Sequence, residues 1–310
     1  MRHTLGGRRR SRRVRSVADL VGNTPMVRVR RVTAGLPAGV EVYAKLEYFN
    51  PGGSVSDRAA LRMMRDAQAE GRLGSGKILL DRASGDTGTA YSMLGAAMDI
   101  PVHLVVPANV DTPRKTISLA FGTHILDSDA DAGSAGAVAK TKALVAADAA
   151  TDRRYFHADQ FGNPANPRAH YLTTAPEIWE ATRGRVTHLV AGLGTTGTLM
   201  GTGRRLKLYN PDVTVIAVEP DVVSHGFEGP GQVPTAAQPQ IFRKSEIDAL
   251  ECVEATQGWA MAGRLAREEG LLVGYSAGAA MVAALRVAQT LTQGVVVAVF
   301  PDHAEAQQDA

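Results

Sequence analysis

The chain has 310 residues, of which 45% are hydrophobic and 21% charged, the profile of a globular protein long enough for two lobes with buried cores rather than of a disordered or fibrous one. The formal charge of +3 is uneven: seven arginines and no acid fall in residues 1–16, so the remainder carries −4. The basic segment lacks interleaved aromatics, which argues against a nucleic-acid surface; no apolar run reaches bilayer-spanning length; and Cys252, the only cysteine, excludes an intrachain disulfide and a multi-cysteine zinc site.

Residues 1–16 read as a disordered, Arg-rich tail. No apolar stretch follows them as a secretory signal requires, so a cytoplasmic location is expected. Gly22-Asn-Thr-Pro25 is a turn signal between two apolar segments. Residues 40–46 predict a strand, and 57–70 a helix with Ala60, Leu61, Met64 and Ala67 on one face. A short strand at 77–80, a small-residue helix at 88–98 and a buried strand at 102–107 follow. The alternation continues around 119–127, 134–149, 187–193, 198–209, 213–219, 256–269, 278–290 and 294–300. Residues 251–254 look like a plain strand, and 224–240, rich in Gly, Pro and Gln, an irregular loop. This order predicts an α/β fold with parallel strands and crossover helices on both faces. Ligands of such folds bind where carboxyl ends of strands turn into helices.

Two such junctions carry anion-binding chemistry. Gly192-Leu-Gly-Thr-Thr-Gly-Thr198 follows an apolar strand and opens a helix, so glycine backbone, threonine hydroxyls and the helix start converge on a phosphate. It has no Gly-Lys-Ser/Thr ending and is not a Gly-x-Gly-x-x-Gly loop, which argues against nucleotide and dinucleotide sites. Ala83-Ser-Gly-Asp-Thr-Gly88 is the second junction and suits a carboxylate.

The stretch Lys45-Leu-Glu-Tyr-Phe-Asn-Pro-Gly-Gly-Ser-Val-Ser-Asp-Arg58 resembles the Asn-Pro-x-Gly-Ser-x-Lys-Asp-Arg segment of the cysteine synthase and cystathionine β-synthase family of pyridoxal-phosphate enzymes, fold type II. The resemblance runs over about residues 17–300 and includes both junctions, the segment Asp159-Gln-Phe-Gly-Asn-Pro-Ala-Asn-Pro-Arg-Ala-His-Tyr171 and the turn Gly274-Tyr-Ser-Ala-Gly278. It implies two lobes, each with a mainly parallel twisted sheet: a smaller mobile one over 45–150 and a larger one over 17–44 plus 151–310. It further implies Gly194, Thr195, Thr196, Gly197 and Thr198 around the cofactor phosphate. Ser84, Gly85, Thr87, Gly88 and Gln160 would bind the substrate carboxylate. Asp86, Ser276 and either Asp302 or His303 would lie near the cofactor ring. Asp86 stands where the family has asparagine, Ala277 replaces a serine, and Phe300-Pro-Asp-His-Ala-Glu305, which on its own reads as a frayed end, departs from the family pattern. A homodimer is expected on the same ground, as is a small amino-acid or phosphorylated ligand. Cysteine synthases also receive a partner protein's C-terminal tail in the cleft.

Ser56 occupies the position of the family's Schiff-base lysine. An alcohol forms no imine and is a far weaker base than an amine. Lys45 matches a different family lysine. The implied reaction replaces the β-leaving group of an O-activated serine to give cysteine or an analogue. With Ser56 it is expected to be absent, altered or greatly slowed, and pyridoxal phosphate to be held non-covalently. Two alternatives are a mutated form of an active cysteine synthase-type enzyme and a non-catalytic, partner-binding pseudoenzyme.

Overall fold

A computed structural model describes residues 14–110, 112–220 and 239–304. The tail up to residue 13 and all but the last two residues of the loop expected at 224–240 lie outside the described residues. In chain order the elements are β1 (Met26–Arg28), β2 (Gly39–Leu46), α1 (Ser56–Ala69), β3 (Ile78–Arg82), α2 (Asp86–Met98), β4 (Val102–Pro107), α3 (Thr112–Ala120), β5 (His124–Ser128), α4 (Gly133–Ala149), β6 (Tyr155–His157), α5 (Ala165–Leu172) and α6 (Thr174–Ala181). They continue with β7 (His188–Gly192), α7 (Gly197–Tyr209), β8 (Thr214–Pro220), β9 (Ala249–Val253), α8 (Ala255–Arg264), a π-helical turn at Leu265–Glu269, α9 (Tyr275–Gln289) and β10 (Gln293–Phe300).

The strands form two sheets. The larger has the order β1-β2-β10-β7-β8-β9 and the smaller β5-β4-β3-β6. Every pairing is parallel except β1 with β2. Strand alternation puts opposite faces of the large sheet into two cores. Val42, Ala44, Val190, Ile216, Val296 and Ala298 pack on one side, and Leu189, Ala191, Val215, Ala217, Val295 and Val297 on the other. A strand buried on both faces must be apolar at nearly every position, as β10 is, and helices therefore cover both faces. The small sheet repeats the arrangement, with Leu79, Leu104 and Phe156 on one side and Leu80 and Val105 on the other.

Three expectations are adjusted. β6 pairs with β3 through Ile78↔Tyr155 and Leu80↔His157, so the smaller sheet extends past residue 150. The pattern around 119–127 is the end of α3, a turn and most of β5. The segment after β10 is no frayed end as far as it is described: Val55 N–H donates to Pro301 O (2.8 Å), and Asp302 and His303 bridge to Ser54 and Val273.

A buried ion cluster fixes the start of α1. Arg58, 3% exposed, donates to Glu47 from Nε (2.6 Å) and to both oxygens of Glu177 (2.7 Å each). Lys45 Nζ donates to Glu177 Oε2 (2.6 Å) and to Thr24 O (2.7 Å). Burial opposes ionisation of Glu177, but hydrogen bonds from Arg58 and the charges of Arg58 and Lys45 prevail and pull its carboxyl down to about 2. The cluster ties β2, the turn at Thr24, α1 and α6 together. It also commits the Lys45 amine, 1% exposed, to a structural role.

Candidate functional site

In the small sheet the chain leaves β3 for β4 on one side, while β6 returns on the other. The crevice at the carboxyl ends of β3 and β6 is therefore a topological switch point, where ligands of open α/β sheets bind. The loops after β3 and β6 lead into α2 and α5, and those after β2 and β7 into α1 and α7. Together they line one cleft. Its walls are Val55, Ser56 and Ala59 at the start of α1, Thr87 on α2, Gln160, Asn166 and His170 before and on α5, and Thr195 and Thr198 at the start of α7. Four helix N-termini thus point their partial positive ends and unsatisfied N–H groups at one volume. No lysine, arginine, aspartate or glutamate is among the lining residues. The cleft attracts anions through backbone dipoles and hydroxyls, not through side-chain cations.

Five residues singled out in the sequence meet here: Ser56, Thr87, Gln160, Thr195 and Thr198. Thr87 Oγ1 donates to Ser56 Oγ (3.2 Å), joining the starts of α1 and α2. Gln160 is buried, and its amide donates to Arg82 O (2.9 Å) while its backbone N–H donates to Asp81 Oδ2 (3.1 Å). Asp81 also accepts from Tyr91 OH (2.9 Å), so Gln160 rests on a buried hydrogen-bonded base.

The other predicted residues lie around this volume without lining it. Thr196 caps α7 in a left-handed conformation (φ 73°). Its Oγ1 is buried with no hydrogen-bond partner, a donor that fits an anion seated at the helix start. Gly194 is exposed and opens the loop. Gly197 faces Asn166, whose Oδ1 would fall 1.9 Å from a Cβ there. Gly88 packs closely on Ala83 O, and its N–H donates to Gly85 O (2.9 Å). Ser84 and Gly85 form the half-buried turn before α2, Gly85 being the N-cap and Asp86 the first helical residue. Ser276 stands in the first turn of α9. Asp302 Oδ1 would lie 2.6 Å from a Cβ at Gly274, the N-cap of α9, and His303 is exposed.

Asn166 and His170 line the cleft although the sequence reading assigned neither a role. They are four residues apart on α5 and so share a face. The signal that could have found them is the pair Gly197 and Gly201, also four apart. Gly201 would put a Cβ 2.0 Å from Pro167 O, so α5 and α7 can cross this closely only over glycine. The crossing sets Asn166 Nδ2 3.0 Å from Thr195 Oγ1 and His170 Nε2 3.4 Å from Thr198 Oγ1. Burial, helped by the Arg58 charge, pushes His170 down to about 3, so its ring is neutral at physiological pH. Beside the cleft, burial pushes Asp57 up to about 7 against the pull of the Gly52 N–H, and Asp86 adds repulsion.

Among the described residues no helix is long and apolar enough to cross a membrane, and no group of three His, Cys, Asp or Glu side chains could hold a metal ion.

A family model described as pyridoxal-phosphate dependent enzyme matches residues 17–302. The cysteine synthase of Aquifex aeolicus (strain VF5) is 45% identical over 295 residues, which cover 94% of this chain and 89% of that protein. Among solved structures, cysteine synthase from Entamoeba histolytica superposes with a TM-score of 0.89 at 30% identity, over 98% of this chain and 91% of that one. An O-ureido-L-serine-bound lysine-to-alanine mutant of O-ureido-L-serine synthase superposes with a TM-score of 0.83 at 36% identity, over 94% and 91%.

Proposed function

Because the chain belongs to the pyridoxal-phosphate dependent enzyme family and is cysteine synthase-like, we propose that it holds pyridoxal phosphate, or its adduct with an amino acid, without a covalent bond. We further propose that β-replacement on an O-activated serine, the family's reaction, is absent or greatly slowed in it. The observation that carries this reading is the lining of the cleft: hydroxyls and amides at four helix N-termini, and no amine.

The phosphate end fits the group, with Thr196 Oγ1 buried and unpartnered and the start of α7 open to an anion. Gly194–Thr198 would hold the phosphate, the Ser84–Thr87 turn with Gln160 a substrate carboxylate, and Asp86, Ser276 and Asp302 would flank the ring. When bound, the cofactor supplies an electron sink for chemistry at the substrate's α- and β-carbons. Among the described residues that line the cleft, none is suited to move the proton. Ser56 Oγ accepts from Thr87 and forms no imine. His170, the only titratable side chain among the described lining residues, is held down to about 3 and is shared with Thr174 and Thr198. Lys45 is bound to Glu177 and Thr24 O. Loss of a general base alone costs about 10² to 10⁴ in rate.

The test is borohydride reduction of the cofactor-treated protein followed by peptide mass spectrometry, with visible spectra and a sulfhydrylase assay. No reduced adduct is expected on any lysine of the unaltered chain, and an adduct at position 56 is expected in Ser56→Lys. A covalent adduct on a native lysine, or full sulfhydrylase turnover by the unaltered chain, refutes the reading.

A further inference from the structure

Asn166 is the second residue of α5 and is 2% exposed. Its amide nitrogen donates to the backbone carbonyl of Gln160 (2.8 Å) and to Thr195 Oγ1 (3.0 Å). A carbonyl oxygen only accepts, so the first bond fixes which way round the amide lies, and the second must run from Asn166 to the threonine. Thr195 Oγ1 also receives the Gly197 N–H (3.4 Å). With two donors directed at its oxygen, the Thr195 hydroxyl has its own proton left to give. Thr195 lines the cleft, so that proton is available to a bound anion. Oδ1 of Asn166 is buried without a hydrogen-bond partner, and it occupies the space a side chain at Gly197 would need.

We propose that Asn166 is a positioning residue of the anion site, one that sets the Thr195 hydroxyl as a donor to a bound phosphoryl group. Gly197 is then required to make room for Asn166, not to let the anion approach the backbone. The reading accounts for three observations together: the fixed amide orientation, the buried unpartnered Oδ1, and a glycine whose missing side chain faces another residue of the protein. It rests on the proposed phosphate role of the Gly194–Thr198 loop.

The test is calorimetric titration with inorganic phosphate, and separately with pyridoxal phosphate, of the unaltered chain, Asn166→Ala, Thr195→Val and the double variant. A hydrogen bond to a charged group is worth about 10- to 100-fold in affinity, so each single variant is expected to bind phosphate about tenfold or more weakly. The double variant is expected to be no weaker than Thr195→Val, since Asn166 acts through that hydroxyl. Asn166→Leu, which fills the space without a donor, serves if the alanine variant does not fold, and is expected to lose the same affinity. In thermal unfolding Gly197→Ala is expected to be destabilised and to regain part of its loss when combined with Asn166→Ala. Phosphate affinity in Asn166→Ala or Asn166→Leu within twofold of the unaltered chain, with Thr195→Val impaired, overturns this inference and leaves the phosphate loop standing. Additive losses in the double variant overturn it in the same way. Equal or absent phosphate binding in the unaltered chain and Thr195→Val overturns the phosphate loop and the inference together.

Discussion

Gly201→Ala tests the contact that builds the cleft. The new Cβ would fall 2.0 Å from Pro167 O, 2.8 Å from Pro167 C and 2.9 Å from His170 Cβ. Two of these are backbone atoms and cannot rotate away, so α5 and α7 must separate by about 1 Å to restore ordinary contact distances. Overpacking of this kind costs about 3 kcal/mol, which lowers the melting temperature of a chain this size by about 5 °C. The same separation stretches the Asn166–Thr195 bond, 3.0 Å as it stands, beyond useful length, so phosphate affinity is expected to fall about tenfold. Gly194→Ala is the control: a Cβ there meets nothing within 4 Å, and thermal stability is expected to be unchanged. Differential scanning fluorimetry with and without phosphate reads both quantities. A Gly201→Ala protein that melts within about 2 °C of the parent and binds phosphate equally well refutes the view that glycine-mediated crossing forms the site.

Glu177 and Asp57 carry opposite pH signatures. Glu177 is pulled from 4.5 to about 2, so the folded state binds fewer protons than the unfolded one in that interval. Its contribution is complete above 4.5 and fades as pH falls towards 2, by up to about 3 kcal/mol. Urea unfolding of Glu177→Gln is expected to show lower stability at neutral pH and a flatter acid limb, and an acid limb parallel to the parent's is the refuting result. Asp57 is pushed from 3.8 to about 7, so between these values the folded state binds the extra proton, and the stability present below 3.8 is lost progressively as pH rises to about 7. Asp57→Asn, which keeps an acceptor for the Gly52 N–H (2.6 Å), is expected to match the parent only below the 3.8 of the unfolded carboxyl, to exceed it increasingly as pH rises, and to show its full advantage above about 7. An equal gain at every pH would show that ionisation of Asp57 is not what costs stability.

The parts legible in the sequence were those with local periodicity or local loop chemistry. The two-faced apolar strands, the small-residue α2 and the loops before α2 and α7 could be read because each announces itself within about a dozen residues. α5 and α6 were not visible: each is eight residues long, contains a proline (Pro167, Pro176), and is separated from the other only by Thr173. α5 shows no apolar stripe, because it is held by a helix crossing rather than by a sheet, and the stripe of α6 is short, built on Ala175 and Ile178. Asn166 and His170 were lost with α5. The ion cluster was illegible for a different reason, since Lys45 and Glu177 lie 132 residues apart and nothing near either one signals the other.

The proposed loss of the lysine and the presence of Asp86 bear on one quantity, the charge at the α1–α2 side of the cleft. A lysine at position 56 would bring a full positive charge to the first turn of α1, whereas a helix N-terminus supplies about half a charge. Asp86 places a carboxyl group in the first turn of α2, where the family motif has asparagine, whereas Asp57 in the first turn of α1 belongs to that motif alongside its lysine. The α5–α7 side has no such acid: Asn166, Thr195, Thr196 and Thr198 are neutral, and His170 is uncharged at physiological pH. The phosphate-loop side is therefore lined by neutral donors, while the Asp86 carboxyl weakens, beside the Ser84–Thr87 turn, the positive end of α2. A neutral serine is the tolerable residue between the two, because it accepts the Thr87 hydrogen bond without demanding a counter-ion. A lysine restored at position 56 would meet the carboxyl of Asp86 where the family has a neutral asparagine, and its pKa would be raised by it. The amine would then be held protonated, so Ser56→Lys alone is expected to form its cofactor adduct more slowly than Ser56→Lys combined with Asp86→Asn.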